Sequence, residues 1–269
     1  MRVTLAFWLS DACLTATQAA LVALPRAHAP ARVEALARRF AGPWWALVPL
    51  ASIVLVVGTI RLTGATADGL TWLALVAVPP LAASALGATM RGGRPPLALL
   101  AVPLFALAWA SGDTLAGEGA ATLLSALSCV TLGVLLAAVA PLGWLKAGIV
   151  AMAVVDAVLI GAELLQPAGD ALNAAAPPAQ LPQLQRALFG DAVLGYGDLF
   201  VAGVFGAIVA REGAGDRAAG PPWRWALLAL ALGLAFDLLF LVLDTLPATV
   251  PIAVALLLRE WLRRRREMR

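Results

Sequence analysis

Residues 187–210 read Ala187-Leu188-Phe189-Gly190-Asp191-Ala192-Val193-Leu194-Gly195-Tyr196-Gly197-Asp198-Leu199-Phe200-Val201-Ala202-Gly203-Val204-Phe205-Gly206-Ala207-Ile208-Val209-Ala210. A spanning helix needs about 20 mainly apolar residues, and this run is long enough. It nevertheless carries Asp198 well inside it, eleven residues from its start. A charge near the bilayer centre costs at least ~2.5–3.5 kcal/mol, so a carboxyl kept there faces the interior of a bundle and serves function.

Working outward, breaks of Pro, Gly and charge leave similar runs at 3–24, 44–60, 70–90, 96–111, 119–141, 143–165, 222–243 and 246–262. With 187–210 they predict an all-α membrane protein, a bundle of nine transmembrane helices. The links are short, and 62% of the residues are hydrophobic against 13% charged, which leaves no room for a sizeable soluble domain. Residues 1–141 form an N-terminal five-helix part and 142–269 a C-terminal four-helix part of one integral membrane domain. Trp44, Trp45, Trp144, Trp223 and Trp261 fall near span ends, as interfacial aromatics do. Arg2, the first apolar stretch and Ala27-His28-Ala29 imitate a signal peptide, but Asp11 interrupts the stretch and Pro30 would follow the scissile bond, so the segment is read as a span.

Counted on alternate sides of nine spans, the nineteen basic residues divide sixteen to three, with Arg2, Arg61 and Arg186 on the poorer side. That bias places the N-terminus outside and the C-terminus in the cytoplasm of a multi-pass cell-membrane protein. Arg263 to Arg266, directly after the last span, read as a topology anchor attracted to anionic lipid rather than a nucleic-acid patch. Cys13 and Cys129 lie in apolar runs without ligand partners and read as small packing residues.

Asp11, Asp156, Asp198 and Asp237 lie well inside apolar segments, while Glu163, Asp191 and Asp244 sit nearer the ends. Asp156 and Asp198 stand apart because their depths match, at about 14 and 16 Å from the outer surface at 1.5 Å per residue. Glu163 and Asp191, two turns outward of each, are placed to line a wet path. Gly195 and Gly197 remove bulk beside Asp198, so a neighbouring helix or an extended substrate can approach closely. Two carboxyls a few ångströms apart in a low dielectric share one proton. The ionised one takes a proton from water, the water attacks a peptide carbonyl, and the protonated one stabilises the oxyanion. Other hydrolytic routes lack their residues. The single histidine, His28, is in a loop, and there is neither a His-Glu-x-x-His nor a Gly-x-Ser-x-Gly motif. Nothing in the sequence demands a cofactor.

At these residues the chain resembles the presenilin and signal peptide peptidase group of Gly-x-Gly-Asp intramembrane aspartyl proteases. Val154-Val155-Asp156-Ala157-Val158 is similar to the family's Tyr-Asp span, Leu194-Gly195-Tyr196-Gly197-Asp198-Leu199-Phe200 to its Gly-x-Gly-Asp span, and Leu246-Pro247-Ala248-Thr249-Val250-Pro251 to its Pro-Ala-Leu segment. The resemblance implies a presenilin-like bundle, a catalytic pair Asp156 and Asp198, and substrate contacts from Gly195, Tyr196, Gly197, Pro247, Ala248 and Thr249. It implies cleavage inside transmembrane peptide or protein segments with a cytoplasmic N-terminus, or remnant signal peptides, in membrane lipid and without nucleic acid. Val155 replaces the family's tyrosine and Thr249 its leucine. The motifs begin near residue 140, and the first five spans resemble the family in number alone. Residues 166–186, with Pro167, Pro177, Pro178 and Pro182, read equally as a gate or a linker.

Two alternatives stay open. A prepilin-type peptidase also has a Gly-x-Gly-Asp span but lacks the Pro-Ala-Leu partner. A proton-coupled transporter would use Asp11, Asp156, Asp198 and Asp237 as an ion path, although no internal repeat is evident.

Overall fold

The computed structural model describes residues 4–40, 42, 44, 66–161, 177, 181–215, 220–243 and 245–268. The expected span at 44–60 apart from Trp44, most of the 166–186 loop, Glu163 and Asp244 lie outside the described residues. Every other apolar segment except 187–210 coincides with a helix. In chain order these are α1 (Leu5–Ala23), the short α2 (Ala31–Phe40), α3 (Thr66–Ser84, running into a π turn at Ala85–Thr89) and α4 (Ala101–Ala110, entered through a 3-10 turn at Pro95–Leu100). Then follow α5 (Leu115–Val139), α6 (Leu142–Gly161), α7 (Tyr196–Gly215), α8 (Pro222–Asp237, extended by a 3-10 turn at Leu238–Leu241) and α9 (Thr249–Glu267). Among the described residues five helical segments are long and apolar enough to cross a membrane: Leu5–Ala23, Gly69–Thr89, Leu115–Val139, Leu142–Gly161 and Pro222–Leu241. The chain is an all-α membrane protein.

One element departs from the sequence expectation. The run 187–210 is not a single helix: a β-hairpin, β1 (Arg186–Phe189) with β2 (Ala192–Gly195), precedes α7. Phe189 pairs with Ala192 across the two-residue turn Gly190-Asp191, and Gly190 has φ +56°, the left-handed conformation such hairpin turns require. Asp198 therefore lies in the first turn of a helix, not three turns into one, and Asp191 is at the hairpin tip rather than on the face of α7. The four residues of β2 advance about 10 Å over three steps at about 3.3 Å each, and Asp198 lies beyond them, away from the tip.

Helix α5 is the centre of the bundle, packed on α7, α3, α4 and β1, while α1 packs on α7 and α8 and α9 on α8, α6 and α7. The N- and C-terminal parts are thus interleaved. The α5–α7 contact is backbone to backbone. A Cβ on Gly203 would collide with the Cys129 carbonyl, and one on Gly133 with the Gly203 carbonyl. One turn further along α7, Gly206 faces the Leu21 carbonyl of α1 in the same way. Cys129 is buried and free at this seam, as the small packing residue its sequence context implies.

At one end of the bundle α6, α7 and α9 are tied by ion pairs. Lys146 Nζ donates to Glu212 Oε1 at 2.6 Å and to Glu260 Oε1 at 2.8 Å, Arg263 donates to Glu212 at 3.0 Å, and Arg259 also pairs with Glu212. Arg259 is 3% exposed and its guanidinium lies over the Trp225 ring of α8 at 5.6 Å. Arg263 to Arg266 are helical, and Arg263 serves this cluster rather than only trailing the span. Trp144, Trp223 and Trp261 are exposed near helix ends, as expected of interfacial aromatics.

Three stability outcomes follow from this packing. Gly203→Leu forces a side chain against a carbonyl that has nowhere to move, and should cost about 3 kcal/mol or more. Gly197→Ala, with nothing within 4 Å of the added carbon, should leave the unfolding midpoint in detergent unchanged. Glu212→Gln removes the shared anion of three cations and should cost about 3 kcal/mol, the usual penalty for stripping one partner from a buried ion pair. Equal midpoints for parent, Gly203→Leu and Glu212→Gln would contradict both packing arguments.

Candidate active site

The site is assembled where α7 begins. Tyr196, Gly197 and Asp198 occupy the first three helical positions after Gly195. The Asp198 carboxylate turns back and accepts the Gly195 backbone N–H at 3.2 Å, which is half of a capping box and satisfies one of the orphan donors of a helix start. A Cβ on Gly195 would sit 2.9 Å from Asp198 Oδ2, so this glycine makes room for the aspartate's own side chain. Gly197 is exposed and faces open space.

A row of polar side chains on α5 holds the hairpin against the bundle. Gly190 N donates to Glu118 Oε2 at 2.7 Å, Thr122 Oγ1 donates to the Leu188 carbonyl at 3.0 Å, and Ser125 Oγ donates to the Leu184 carbonyl at 3.1 Å. Ser128 Oγ lies 2.6 Å from the Tyr196 hydroxyl. Spacings of four, three and three keep these groups along one side of α5. Non-helical backbone at membrane depth must find hydrogen-bond partners in protein, and these side chains supply them. Tyr196 is consequently a strut between α5 and α7, with its hydroxyl directed to Ser128.

Asp156 comes from α6. It is linked to the start of α7 through the 248–249 segment, since the Ala248 and Asp198 carbonyls share one donor, Gln18 Nε2. Thr249, the first residue of α9 and 4% exposed, donates its hydroxyl to Asp156 Oδ2 at 2.8 Å. The residue that departs from the family's leucine is thus a direct partner of the first aspartate. Pro247 and Ala248 lie immediately before it, half-buried, at the mouth of α9. Gln18 of α1 donates from Nε2 to the Asp198 carbonyl at 3.2 Å and to the Ala248 carbonyl at 3.0 Å. The structure therefore brings together Asp156, Asp198, Gly195, Tyr196 and the 247–249 segment.

Asp156 is ten residues from Lys146, Asp198 fourteen from Glu212 and Thr249 eleven from Glu260. At 1.5 Å per residue the aspartates lie about 15–21 Å from the ion-pair end, near the middle of a bilayer core of about 30 Å. The remaining deep aspartates form a second cluster. Asp11 of α1 and Asp237 of α8 lie beside one another, and Thr15 donates to Asp237 Oδ2 at 2.9 Å. Among the described residues no group of three or more His, Cys, Asp or Glu comes together to hold a metal ion.

Sequence reasoning missed Gln18, Glu118, Thr122, Ser125 and Ser128. On α5 a signal was present, since polar residues recurring at helical spacing inside a span imply a polar partner. Gln18 gave none beyond being an amide in an apolar run. Set against family models, curated proteins and solved structures, the chain matches none of them.

Proposed function

We propose that this chain is an intramembrane aspartyl protease that hydrolyses peptide bonds within transmembrane segments. The observation that carries the reading is the meeting of Asp156, Asp198 and the 247–249 segment, three stretches far apart in sequence, at one point deep in an apolar bundle. In this reading the pair shares a proton. The ionised carboxylate removes a proton from a water held between the two, the oxygen adds to the peptide carbonyl, and the protonated partner donates to the developing oxyanion. Collapse of the tetrahedral adduct breaks the C–N bond as the amine takes up a proton.

The surroundings suit a peptide. β1 and β2 pair only with each other among the described residues, so each keeps an edge, and β2 runs directly into the turn bearing Asp198. Val193, Gly195 and Gly197 are exposed there. An extended chain added along such an edge gains backbone hydrogen bonds while its peptide groups are laid beside the carboxyls. On α6, Val154 and Val158 are 57% and 61% exposed on either side of Asp156, an apolar flank from which a membrane-embedded substrate can approach. The full proposal is a presenilin-like bundle of nine spans with the N-terminus outside and the C-terminus in the cytoplasm. It favours substrate spans with a cytoplasmic N-terminus, the orientation of signal peptide peptidases.

The Asp11–Asp237–Thr15 cluster favours a second reading, a proton-coupled transporter that uses all four aspartates as a path. One experiment divides the two. Asn keeps the volume of Asp but cannot shuttle a proton, so Asp156→Asn and Asp198→Asn should each lower cleavage of a single-span peptide by about 10³-fold or more. Asp11→Asn and Asp237→Asn should cut near the parental rate, with all four variants monodisperse in detergent. Parental activity in Asp198→Asn would end the protease reading, and equal loss in all four would favour the transporter. For topology, reporter fusions at Arg269 and within 166–186 should mark opposite sides of the membrane, and marks on one side would break the nine-span arrangement.

A further inference from the structure

Gln18 sits on α1, in the part of the chain to which the motif resemblance does not extend. Its side chain is 4% exposed and its Nε2 donates to both the Asp198 carbonyl at 3.2 Å and the Ala248 carbonyl at 3.0 Å. Ala248 is followed by Thr249, whose hydroxyl donates to Asp156 at 2.8 Å. The contacts run in series from Asp198 through Gln18 to the 248–249 peptide and on to Asp156. Each aspartate therefore has a short non-covalent path to the other that does not pass through the water they would share.

We propose that Gln18, acting with Thr249, is a positioning residue that sets the separation and facing of Asp156 and Asp198. This rests on the protease reading above. The residue type fits the task. Glutamine has two N–H donors on one nitrogen and no charge, so it can satisfy two carbonyls from separate elements without placing an ion in an apolar span. Asparagine is one methylene shorter and cannot span both. Glutamate offers no donor when ionised and one when protonated. A carbonyl at the first turn of a helix and a carbonyl just before another helix are both fixed points of their elements. Holding them to one nitrogen fixes where α7 and α9 start relative to each other. A displacement of about 1 Å at a reacting centre is enough to cost about 10²-fold in rate.

The experiment measures kcat and KM for a single-span peptide with purified full-length protein in detergent. Gln18→Met keeps the volume and loses both bonds, and Thr249→Val keeps the shape and loses the hydroxyl. Each should lower kcat about tenfold or more with KM nearly unchanged, since what is lost is geometry at the reacting atoms rather than substrate contact. Because the two residues are links of one series, the double variant should be little worse than the poorer single, whereas independent structural roles would multiply. Gln18→Glu should regain activity relative to the parent as pH falls, when the introduced carboxyl acquires a proton to donate. This arm also carries the test if Gln18→Met does not give monodisperse protein. Parental kcat in Gln18→Met, multiplying losses in the double variant, or a pH profile of Gln18→Glu parallel to the parent's would each overturn the positioning role while leaving the protease reading intact. A well-folded parent that cuts no peptide would instead overturn the protease reading, and this role with it.

Discussion

The contact on which the rest of the structure depends is the one between Gly133 of α5 and Gly203 of α7. Lipid tails are as apolar as leucine, so no hydrophobic force drives two spans together, and close backbone approach with hydrogen bonds must hold them. At this seam the backbones touch, since a single methyl on either glycine would meet a carbonyl. Bringing α7 this near to α5 lets short side chains on α5 reach the segment that precedes α7. Ser128 meets Tyr196, while Ser125 and Thr122 meet carbonyls of 184 and 188. A wider seam would leave a hairpin with unsatisfied backbone groups at membrane depth, each costing several kcal/mol. The glycine seam, the serine and threonine row and the hairpin are one construction.

Charge is sorted along the same helices. The ion-pair cluster takes three cations and two anions from α6, α7 and α9 at one end, where the Trp225 face offsets part of the desolvation cost of Arg259. Some three turns away Asp156 and Asp198 are met by donors that carry no charge: a threonine hydroxyl on Asp156 and a backbone N–H on Asp198. No lysine or arginine of the described residues is paired with Asp156 or Asp198. A salt bridge there would fix one aspartate permanently ionised, whereas neutral donors leave the pair free to exchange a proton.

The five span-length helices were legible in the sequence, as was the presence of carboxyls within apolar runs, because apolar length and an interrupting charge are additive signals that survive any packing. The hairpin was not. Val, Leu, Phe and Ala supply an apolar run for a helix or a strand alike, and a short run cannot decide between them by periodicity. The cue was Gly190-Asp191, a two-residue turn between β-prone pairs, which the surrounding hydrophobicity masked. Asp198 was thus assigned the wrong local structure, three turns into a helix rather than at its first. Thr249 was legible only as a departure from a motif. Its hydroxyl has meaning once α6 lies beside α9. Gln18 was illegible because its two acceptors lie 180 and 230 residues away and are backbone carbonyls, which leave no trace in side-chain pattern.

Two of the three stretches that form the site, Asp198 and the 247–249 segment, stand at helix beginnings while Asp156 lies within α6, and in the proposed reading that choice has a chemical reason. A peptide bond inside a substrate helix is shielded, with its N–H and C=O committed to the turns before and after it. To be attacked it must be drawn out into extended chain, and in hydrocarbon that is tolerated only where other backbone can satisfy the freed groups. The start of a helix and the edge of a hairpin both present unpaired backbone groups. Placing Asp198 at the third position of α7, directly after β2, puts a carboxyl beside the one kind of surface that can stabilise an unwound substrate. Had 187–210 been the continuous helix its hydrophobicity suggests, Asp198 would face a wall of satisfied backbone. In that reading the hairpin that the sequence concealed is the feature that would let the two aspartates act on one substrate.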